Sequence, residues 1–280
     1  MKNFNDALRS IFALLIIMVA LNSCSNNDEE LQIDTMSQDT LEIAFATEVD
    51  AASSAVTDVV TEVFEFDEAN PNGRVQPPVL PDCIIITVVA EQGFREVTID
   101  FGSDGCLVRG HILKGKIVFS YTRDLEAQEI LITYSLIDFY FDNKNVLGNR
   151  TILRERENAN GNPQFTHTLD LTVIWPNGVQ ASRSGTKIRE WVEGFGSGVF
   201  SDNVFEVSGN WTTSFVNGNT HTYEVETPLR REVICTYFVS GTVAIQRTNF
   251  GGIFNYGNGD CDNQATFTFN NGNEIVITLN

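Results

Sequence analysis

Alternating strands separated by tight-turn signals constrain the fold of this chain more than any other feature of its sequence. In segments 165–175 and 221–226, apolar side chains alternate with threonine, aspartate or glutamate. Because successive side chains of a strand point to opposite faces, this alternation predicts strands with one buried face. Asn-Gly pairs, which favour hairpin turns, occur at 160–161, 177–178, 217–218 and 271–272. The sequence therefore predicts a mainly β protein: an antiparallel meander of about a dozen strands over residues 83–280, as one curved sheet, a sandwich or a barrel.

Four cysteines mark two similar segments of the β region. Cys83 and Cys235 each open a strand–turn–strand stretch, and Cys106 and Cys261 each lie five residues after the aromatic residue of an aromatic-Gly pair. Four cysteines allow three pairings, but a hairpin brings its own two ends together. The pattern therefore favours disulfides between Cys83 and Cys106 and between Cys235 and Cys261. A metal site is not expected here, because no Cys-x-x-Cys spacing occurs.

Before the strands, residues 39–64 have helical periodicity. Apolar positions step by threes and fours, and Asp39 is placed to cap the helix. The apolar positions are Leu41, Phe45, Val49, Ala52, Val56, Val59 and Val63. This pattern predicts one N-terminal amphipathic helix that covers a face or an end of the protein's own sheet, and the alternative is a helix that binds a partner. A proline-rich connector completes the segment 39–82.

The first residues have the pattern of a signal peptide. Lys2 and Arg9 precede or border an apolar run at 11–20, which is too short to span a bilayer. The run is followed by Leu21-Asn22-Ser23-Cys24, which resembles the lipobox of bacterial lipoproteins. The resemblance implies removal of residues 1–23, acylation of Cys24 as a membrane anchor, and an acidic tether over 24–38. The alternative is an ordinary secretory signal with an incidental cysteine.

Three further resemblances concern the location, the family and the modification of the protein. Acidic residues at 28–30 resemble the surface-export signal of Bacteroidetes lipoproteins, which implies an outer-membrane protein that faces outward; a solvated linker on the periplasmic face is the alternative. The β region, with Arg189-Glu190-Trp191 among its motifs, resembles a group of uncharacterised Bacteroidetes envelope lipoproteins without an assigned activity. Asp-Thr-aliphatic triplets resemble Bacteroidetes O-glycosylation sites, which makes Thr35 and Thr40 candidate acceptors.

Charge limits the partners of the chain. Its formal net charge is −19 at pH 7. A protein this acidic is repelled by nucleic acid and by anionic lipid head groups. Nucleic acid is therefore excluded as a partner, and attachment to the membrane is expected through the lipid anchor. Other envelope proteins or glycan are the expected partners.

Few residues could carry chemistry. The three histidines, His111, His167 and His221, each lie on the apolar side of a strand, so a meander could gather them into a metal site. Packed core histidines are the alternative, and no metal or other cofactor is expected. Carboxylates are abundant, but no pair stands out by motif, so they are expected on the surface. The carboxylates considered are Asp138, Asp142, Glu155, Glu157, Asp170, Glu190, Glu224 and Glu226.

Aromatic residues offer a last candidate site. Trp175, Trp191 and Trp211 lie in three separate segments, and Phe139, Tyr140 and Phe141 are consecutive. Twenty phenylalanines in the chain favour a core built from aromatic side chains. The alternative is an exposed platform that stacks against sugars.

These features together predict a lipid-anchored β protein that acts by binding, as an accessory or scaffold component at the outer membrane or cell surface. The chain contains no Gly-x-Ser-x-Gly elbow, phosphate loop or His-Glu-x-x-His motif, which disfavours an enzyme. Two alternatives stay open. One is an enzyme acting on glycan or lipid, and the other is a carrier of an apolar ligand inside a partly open barrel.

Overall fold

The computed structural model describes residues 27–70, 77, 80–247 and 250–279, with side chains described from Leu41 onward except at position 200. The predicted signal peptide at 1–23 and the lipidation site Cys24 lie outside the described residues. The side chains of the candidate acceptors Thr35 and Thr40 also lie outside them.

Fifteen strands in the described chain form one sheet, and every pairing in it is antiparallel. The strands are β1 (Ile85–Glu91), β2 (Phe94–Asp100), β3 (Cys106–Val108), β4 (His111–Thr122), β5 (Glu129–Phe141), β6 (Lys144–Leu147), β7 (Asn149–Glu155), β8 (Gln164–Ile174), β9 (Gln180–Glu193), β10 (Val204–Phe215), β11 (Thr220–Glu232), β12 (Ser240–Gln246), β13 (Gly251–Asn258), β14 (Gln264–Phe269) and β15 (Glu274–Thr278). A 3-10 turn at Phe200–Asp202 precedes β10. The predicted antiparallel meander is confirmed.

Strand order follows the chain, from β1 at one end of the sheet to β15 at the other. There are two exceptions. The short strand β3 pairs only with β4, and an interruption at Gly148 separates β6 from β7, so that both lie between β5 and β8. Gly148 has a φ of 141°, and a Cβ there would lie 2.1 Å from the carbonyl oxygen of Asp170. A side chain at this position is therefore incompatible with the neighbouring strand.

Three of the predicted Asn-Gly turns share one local structure. The glycines Gly178, Gly218 and Gly272 have φ between 84° and 87°. In each turn the preceding asparagine side chain accepts a hydrogen bond from the backbone N–H two residues beyond it, at 2.9 to 3.1 Å. Asparagine thus closes the turn and glycine supplies the left-handed backbone, which explains why this dipeptide marks the hairpins.

Both predicted disulfides are confirmed. Cys83 is bonded to Cys106 with a Cα–Cα distance of 5.7 Å, and Cys235 to Cys261 with a Cα–Cα distance of 5.5 Å. Each bond joins two cysteines that are more than twenty residues apart and so closes a loop of that length. In the chain-entropy description, closing loops of this length stabilises the folded state by about 3 kcal/mol each.

One helix, α1, runs from Asn27 to Ala69. It begins earlier than the predicted start at Asp39, so residues 27–38 of the predicted tether are helical. Residues 28–30 lie in the first turn of the helix. The chain divides into two units between Ile43 and Ala44. The first contributes the helical residues 27–43, and the second contributes the rest of α1 and the sheet.

Within the second unit, α1 is enclosed by protein. No side chain from Ala44 to Glu68 is exposed. The predicted apolar positions from Val49 to Val63 are fully buried, which confirms the helical period and the packing of α1 against the protein's own sheet. No helix in the described part of the chain is apolar enough over sufficient length to cross a membrane.

The sheet must curve to surround α1. Asp67 contacts Tyr121 on β4, and Asp58 contacts Arg231 on β11. In a flat sheet, strands at these two positions would lie roughly 30 Å apart. The two aspartates are only about 14 Å apart along the helix axis. The contacts therefore require the strands between β4 and β11 to bend around the helix.

Candidate functional site

Buried ion pairs attach α1 to the sheet. Asp50 contacts the guanidinium of Arg183 and lies 2.6 Å from the Lys187 ammonium. Arg183 and Lys187 are both on β9 and point inward, because they share the strand parity of the buried Ala181. Arg183 also donates to the hydroxyl of Thr213 at 2.9 Å. Burial alone would raise the pKa of Asp50, but the two cations outweigh it and hold that pKa below its usual value.

Asp58, two turns further along, has a similar environment. Its carboxylate oxygens lie 2.8 Å from Arg189 and 3.0 Å from Arg231. Burial disfavours its charge, yet the two guanidinium groups keep the pKa of Asp58 below the usual value. Both aspartates are therefore ionised at neutral pH and fix the rotation of α1 within the sheet.

The last turns of α1 carry carboxylates of different character. Glu62 pairs with Arg109 at 2.6 Å, and Glu65 pairs with Arg154 at 3.0 Å. Burial raises the pKa of Glu62 to about 7, because Arg109 only partly offsets the loss of water and Asp58 adds repulsion. Burial likewise raises the pKa of Glu65 above its usual value. Glu62 is therefore close to half-protonated at neutral pH.

These carboxylates border a groove with a volume of about 530 Å³. We call its large apolar lining residues the apolar wall and its charged lining residues the charged wall. The apolar wall consists of Phe66, Leu125, Trp191, Phe195 and Val199. The charged wall consists of Glu62, Glu65, Glu68, Arg154 and Arg156.

A glycine-rich loop forms the rim of the groove. Gly194, Gly196 and Gly198 all have φ between 76° and 86°, which turns the chain tightly after β9 and leaves Phe195 half-exposed. The Phe195 ring meets Trp191 edge-on, with 4.9 Å between ring centroids. The Trp191 indole donates to the Asn203 side chain at 3.1 Å, which holds the ring in place as a wall.

Three buried polar atoms on the charged wall make no hydrogen bond among the described residues: Oε1 of Glu62, Oε1 of Glu68 and Nη1 of Arg154. Oε1 of Glu68 lies 3.3 Å from the Arg123 guanidinium, which leaves Glu62 Oε1 and Arg154 Nη1 as the open pair. Buried polar atoms are nearly always hydrogen-bonded, so an acceptor and a donor left open beside a groove indicate a place for a polar group of a ligand. The arrangement can therefore hold a molecule with one polar end and one apolar body.

The predicted histidines do not come together. His111 on β4 lies with Nδ1 3.1 Å from the Asp142 carboxylate. His221 on β11 is fully buried, with Nδ1 3.3 Å from the Tyr223 hydroxyl. His167 on β8 is buried beside α1, and burial together with nearby Arg189 holds its pKa well below the usual value. In the described residues no group of three or more histidine, cysteine or acidic side chains is arranged to hold a metal ion.

Several carboxylates considered from the sequence bind surface polar groups. Asp142 accepts from the backbone N–H of Ile112 at 3.0 Å, and Glu155 accepts from Gln164 at 2.5 Å. Glu190 accepts from two asparagine side chains, which lower its pKa. None of these residues lines the 530 Å³ groove.

The acids that matter, Asp50, Asp58 and Glu62, were missed by sequence reasoning. The sequence does contain one feature that indicates these buried acids, namely cations on the inward-facing side of a strand. In β9, Arg183, Lys187 and Arg189 occupy positions of the same parity as apolar residues at its two ends. A row of cations on the buried face of a strand requires buried anions opposite.

The tryptophans belong to the core. Trp175, Trp191 and Trp211 are all buried, so an exposed sugar-stacking platform built from them is wrong. Trp191 nevertheless lines the groove with one side of its ring. Tyr140 is exposed, whereas Phe139 and Phe141 on the same strand are fully buried.

The fold and site define a class of protein: a single antiparallel sheet that encloses an acidic helix, with one large groove of mixed polarity beside the helix's last turns. No protein-family model, curated protein or solved structure matches the chain.

Proposed function

We propose that this chain is an exported, lipid-anchored envelope protein that binds a small amphiphilic ligand in the groove beside Trp191. The groove carries the proposal. Its volume of about 530 Å³ lies within the range of small-molecule sites. Its apolar wall and its two open polar atoms match an apolar body with one polar head.

The chemistry of the head group follows from the charged wall. Arg154 offers a donor, and Glu62 offers an oxygen that can accept or, when protonated, donate. A carboxylate or hydroxyl head would satisfy both atoms. The alkyl chain or ring of the ligand would then lie against Phe66, Leu125 and Phe195.

The site differs from a ligand cavity inside a barrel. The space inside the curved sheet is occupied by α1, whose side chains from Ala44 to Glu68 are not exposed. The ligand is therefore placed beside the end of the helix, with a rim formed by the loop at 194–199.

Export and anchoring are supported by the sequence at Cys24 and by the two disulfides, which form and persist in oxidising compartments. The proposed location is the outer membrane, with the protein facing outward as a binding or scaffold component. Cys24→Ser should abolish incorporation of labelled palmitate and move the protein from the membrane to the soluble fraction of its host. Digestion by protease added to intact cells would support the outward orientation, and protection would indicate the periplasmic face.

Binding can be tested with 1-anilinonaphthalene-8-sulfonate, a fluorescent probe with an apolar ring system and one anionic head. We expect saturable binding to the purified protein and displacement by dodecanoate. Phe195→Ala should weaken probe binding by about tenfold, as expected for loss of a central aromatic contact. Val216→Ala is the matched control, because Val216 is an exposed apolar residue that does not line the groove. Equal affinities of both variants would contradict the proposal.

A second candidate function is acid–base catalysis on the bound ligand. It is favoured by one observation, the pKa of about 7 for Glu62, which suits proton transfer at neutral pH. Glu62→Gln separates the two functions. Retained probe binding with unchanged ligand would support a binding protein, whereas turnover by the wild type that the variant lacks would support an enzyme.

A further inference from the structure

A second, much smaller cavity lies beside the middle of α1. It has a volume of about 20 Å³ and shares no lining residue with the groove. Its polar lining comes from Ser53, Ser54, Thr57 and Asp58 on α1, His167 on β8, Lys187 and Arg189 on β9, and Arg231 on β11. All of these residues except the partly buried Ser54 are buried. We call this cavity the chamber.

Positive charge exceeds negative charge around the chamber. The two aspartates of α1, Asp50 and Asp58, are each paired with two cations. A fifth buried cation, Arg150, has only hydroxyl partners at hydrogen-bond distance, on Ser53 and Tyr134. The buried cations of this group are Arg150, Arg183, Lys187, Arg189 and Arg231. Within this group of seven described residues, five positive charges face two negative ones, and uncompensated buried charge is strongly unfavourable.

Several polar atoms around the chamber lack hydrogen-bond partners among the described residues. His167 is 2% exposed and lines the chamber, yet neither of its ring nitrogens has a hydrogen-bond partner among the described residues. The Nε atoms of Arg189 and Arg231, which also line the chamber, are likewise open. Oδ1 of Asp58 also makes no hydrogen bond, but it lies 2.8 Å from the Arg189 guanidinium. The remaining open donors, beside excess positive charge, call for a further acceptor that carries negative charge.

We infer that the chamber binds one monatomic anion of the size of chloride, held by His167, Arg189 and Arg231. The volume of about 20 Å³ has room for one species near the size of water and is too small for phosphate or sulfate. Asp58 also lines the chamber, but its two oxygens lie at 2.8 and 3.0 Å from Arg189 and Arg231. Its charge is therefore already shared between two cations.

The anion would couple the sheet to the helix. His167, Arg189 and Arg231 come from three different strands, and all three approach α1 around Asp58. A shared acceptor among them would reduce the repulsion between cations that otherwise push those strands apart. One anion in the chamber would lower the excess positive charge of this group from three to two.

Bromide gives a direct test, because it resembles chloride and scatters anomalously. Crystals of the protein grown in chloride and soaked in sodium bromide should show an anomalous peak in the chamber within hydrogen-bond distance of His167. Absence of that peak, with only water density in the chamber, would overturn the inference.

Thermal unfolding measures the strength of binding. At constant ionic strength, replacing gluconate by chloride or bromide should raise Tm with halide concentration, because the ligand binds only the folded state. His167→Glu supplies a carboxylate at the chamber and should lose the halide dependence of Tm. His111→Gln, at a histidine outside the chamber, should retain it. If His167→Glu does not fold, Arg150→Met serves instead, because it removes one positive charge and should weaken the halide dependence. A halide dependence equal in His167→Glu and the wild type would contradict the assignment to the chamber.

Discussion

Two neighbouring regions of α1 use buried carboxylates in opposite ways. Around Asp50 and Asp58, each carboxylate meets two cations, and its pKa is held below the usual value. One turn further, Glu62 meets one guanidinium at salt-bridge distance, and burial raises its pKa to about 7. The first arrangement gives permanent charge and fixed geometry. The second gives a proton that can be exchanged beside a groove.

The difference shows that burial alone does not assign a role to a carboxylate. The charges around each carboxylate also matter. Two close cations make Asp50 and Asp58 structural attachments, whereas Glu62, with one guanidinium at salt-bridge distance, is adaptable to a ligand. Each of the following predictions tests one side of this comparison.

The largest expected effect is at Asp58. Asp58→Asn leaves Arg189 and Arg231 without a buried counter-charge, and removal of one partner from such a cluster destabilises by about 3–5 kcal/mol. Urea unfolding measures the loss. Asp100→Asn is the matched control, because its pair with Lys116 at 2.7 Å is partly exposed and should contribute at most about 1 kcal/mol. If both variants lost the same free energy of unfolding, the buried ion pairs of Asp58 would be no more stabilising than a surface ion pair.

The next effect concerns Glu62 and pH. Its pKa is about 7 in the folded protein and about 4.5 when unfolded, so the folded state binds more protons between these values. Stability should therefore fall as pH rises from 4.5 to 7, by up to about 3 kcal/mol. Glu62→Gln removes this dependence. Urea unfolding of both proteins across that range tests it, and a difference in free energy that stays constant with pH would show that Glu62 titrates normally.

His167 predicts a dependence of opposite sign. Burial holds its pKa well below 6.5 in the folded protein, so below pH 6.5 the unfolded state binds the extra proton. Stability should fall with acidification by up to about 1.4 kcal/mol per pH unit from this group. Because Glu62 contributes a slope of opposite sign in the same range, the test is the difference between the wild type and His167→Gln, which should shrink or reverse in favour of the variant as pH falls from 6.5 to 5. A difference in free energy of unfolding between the wild type and His167→Gln that stays constant from pH 6.5 to 5 would contradict the buried neutral histidine.

The smallest effect on stability is expected at the groove. Phe195 is more than half exposed, so Phe195→Ala should change the free energy of unfolding by less than about 1 kcal/mol. The same variant is expected to weaken probe binding by about tenfold. A loss of stability comparable to that of Asp58→Asn would mean that the groove wall is structural. The proposed contrast between the middle of α1 and the groove at its end would then be wrong.

Local sequence patterns predicted much of the fold. The alternation in β8, the Asn-Gly turns and the two cysteine-bounded segments are each determined by neighbouring residues, and all were confirmed. The start of α1 was wrong because acidic residues at 28–30 resemble a solvated linker, although they are compatible with the first turn of a helix.

The candidate site could not be predicted in the same way. Phe66, Leu125 and Phe195 meet at the groove from distant parts of the chain, and no local pattern specifies that contact. The buried cations were more accessible to prediction. Arg183 and Arg189 occupy inward positions of β9, and because charged residues are seldom buried unless paired, this parity indicates buried anions opposite them.

The attachment of α1 has a consequence for the order of folding. Asp58 and its partner Arg231 are 173 residues apart, so most of the sheet must be synthesised before the helix finds its last counter-charge. Contacts of such long range make folding slow. During that interval the valines of α1 are exposed, and its many carboxylates provide the mutual repulsion that opposes aggregation. The same acids that hold the finished protein together would thus keep the unfinished chain dispersed.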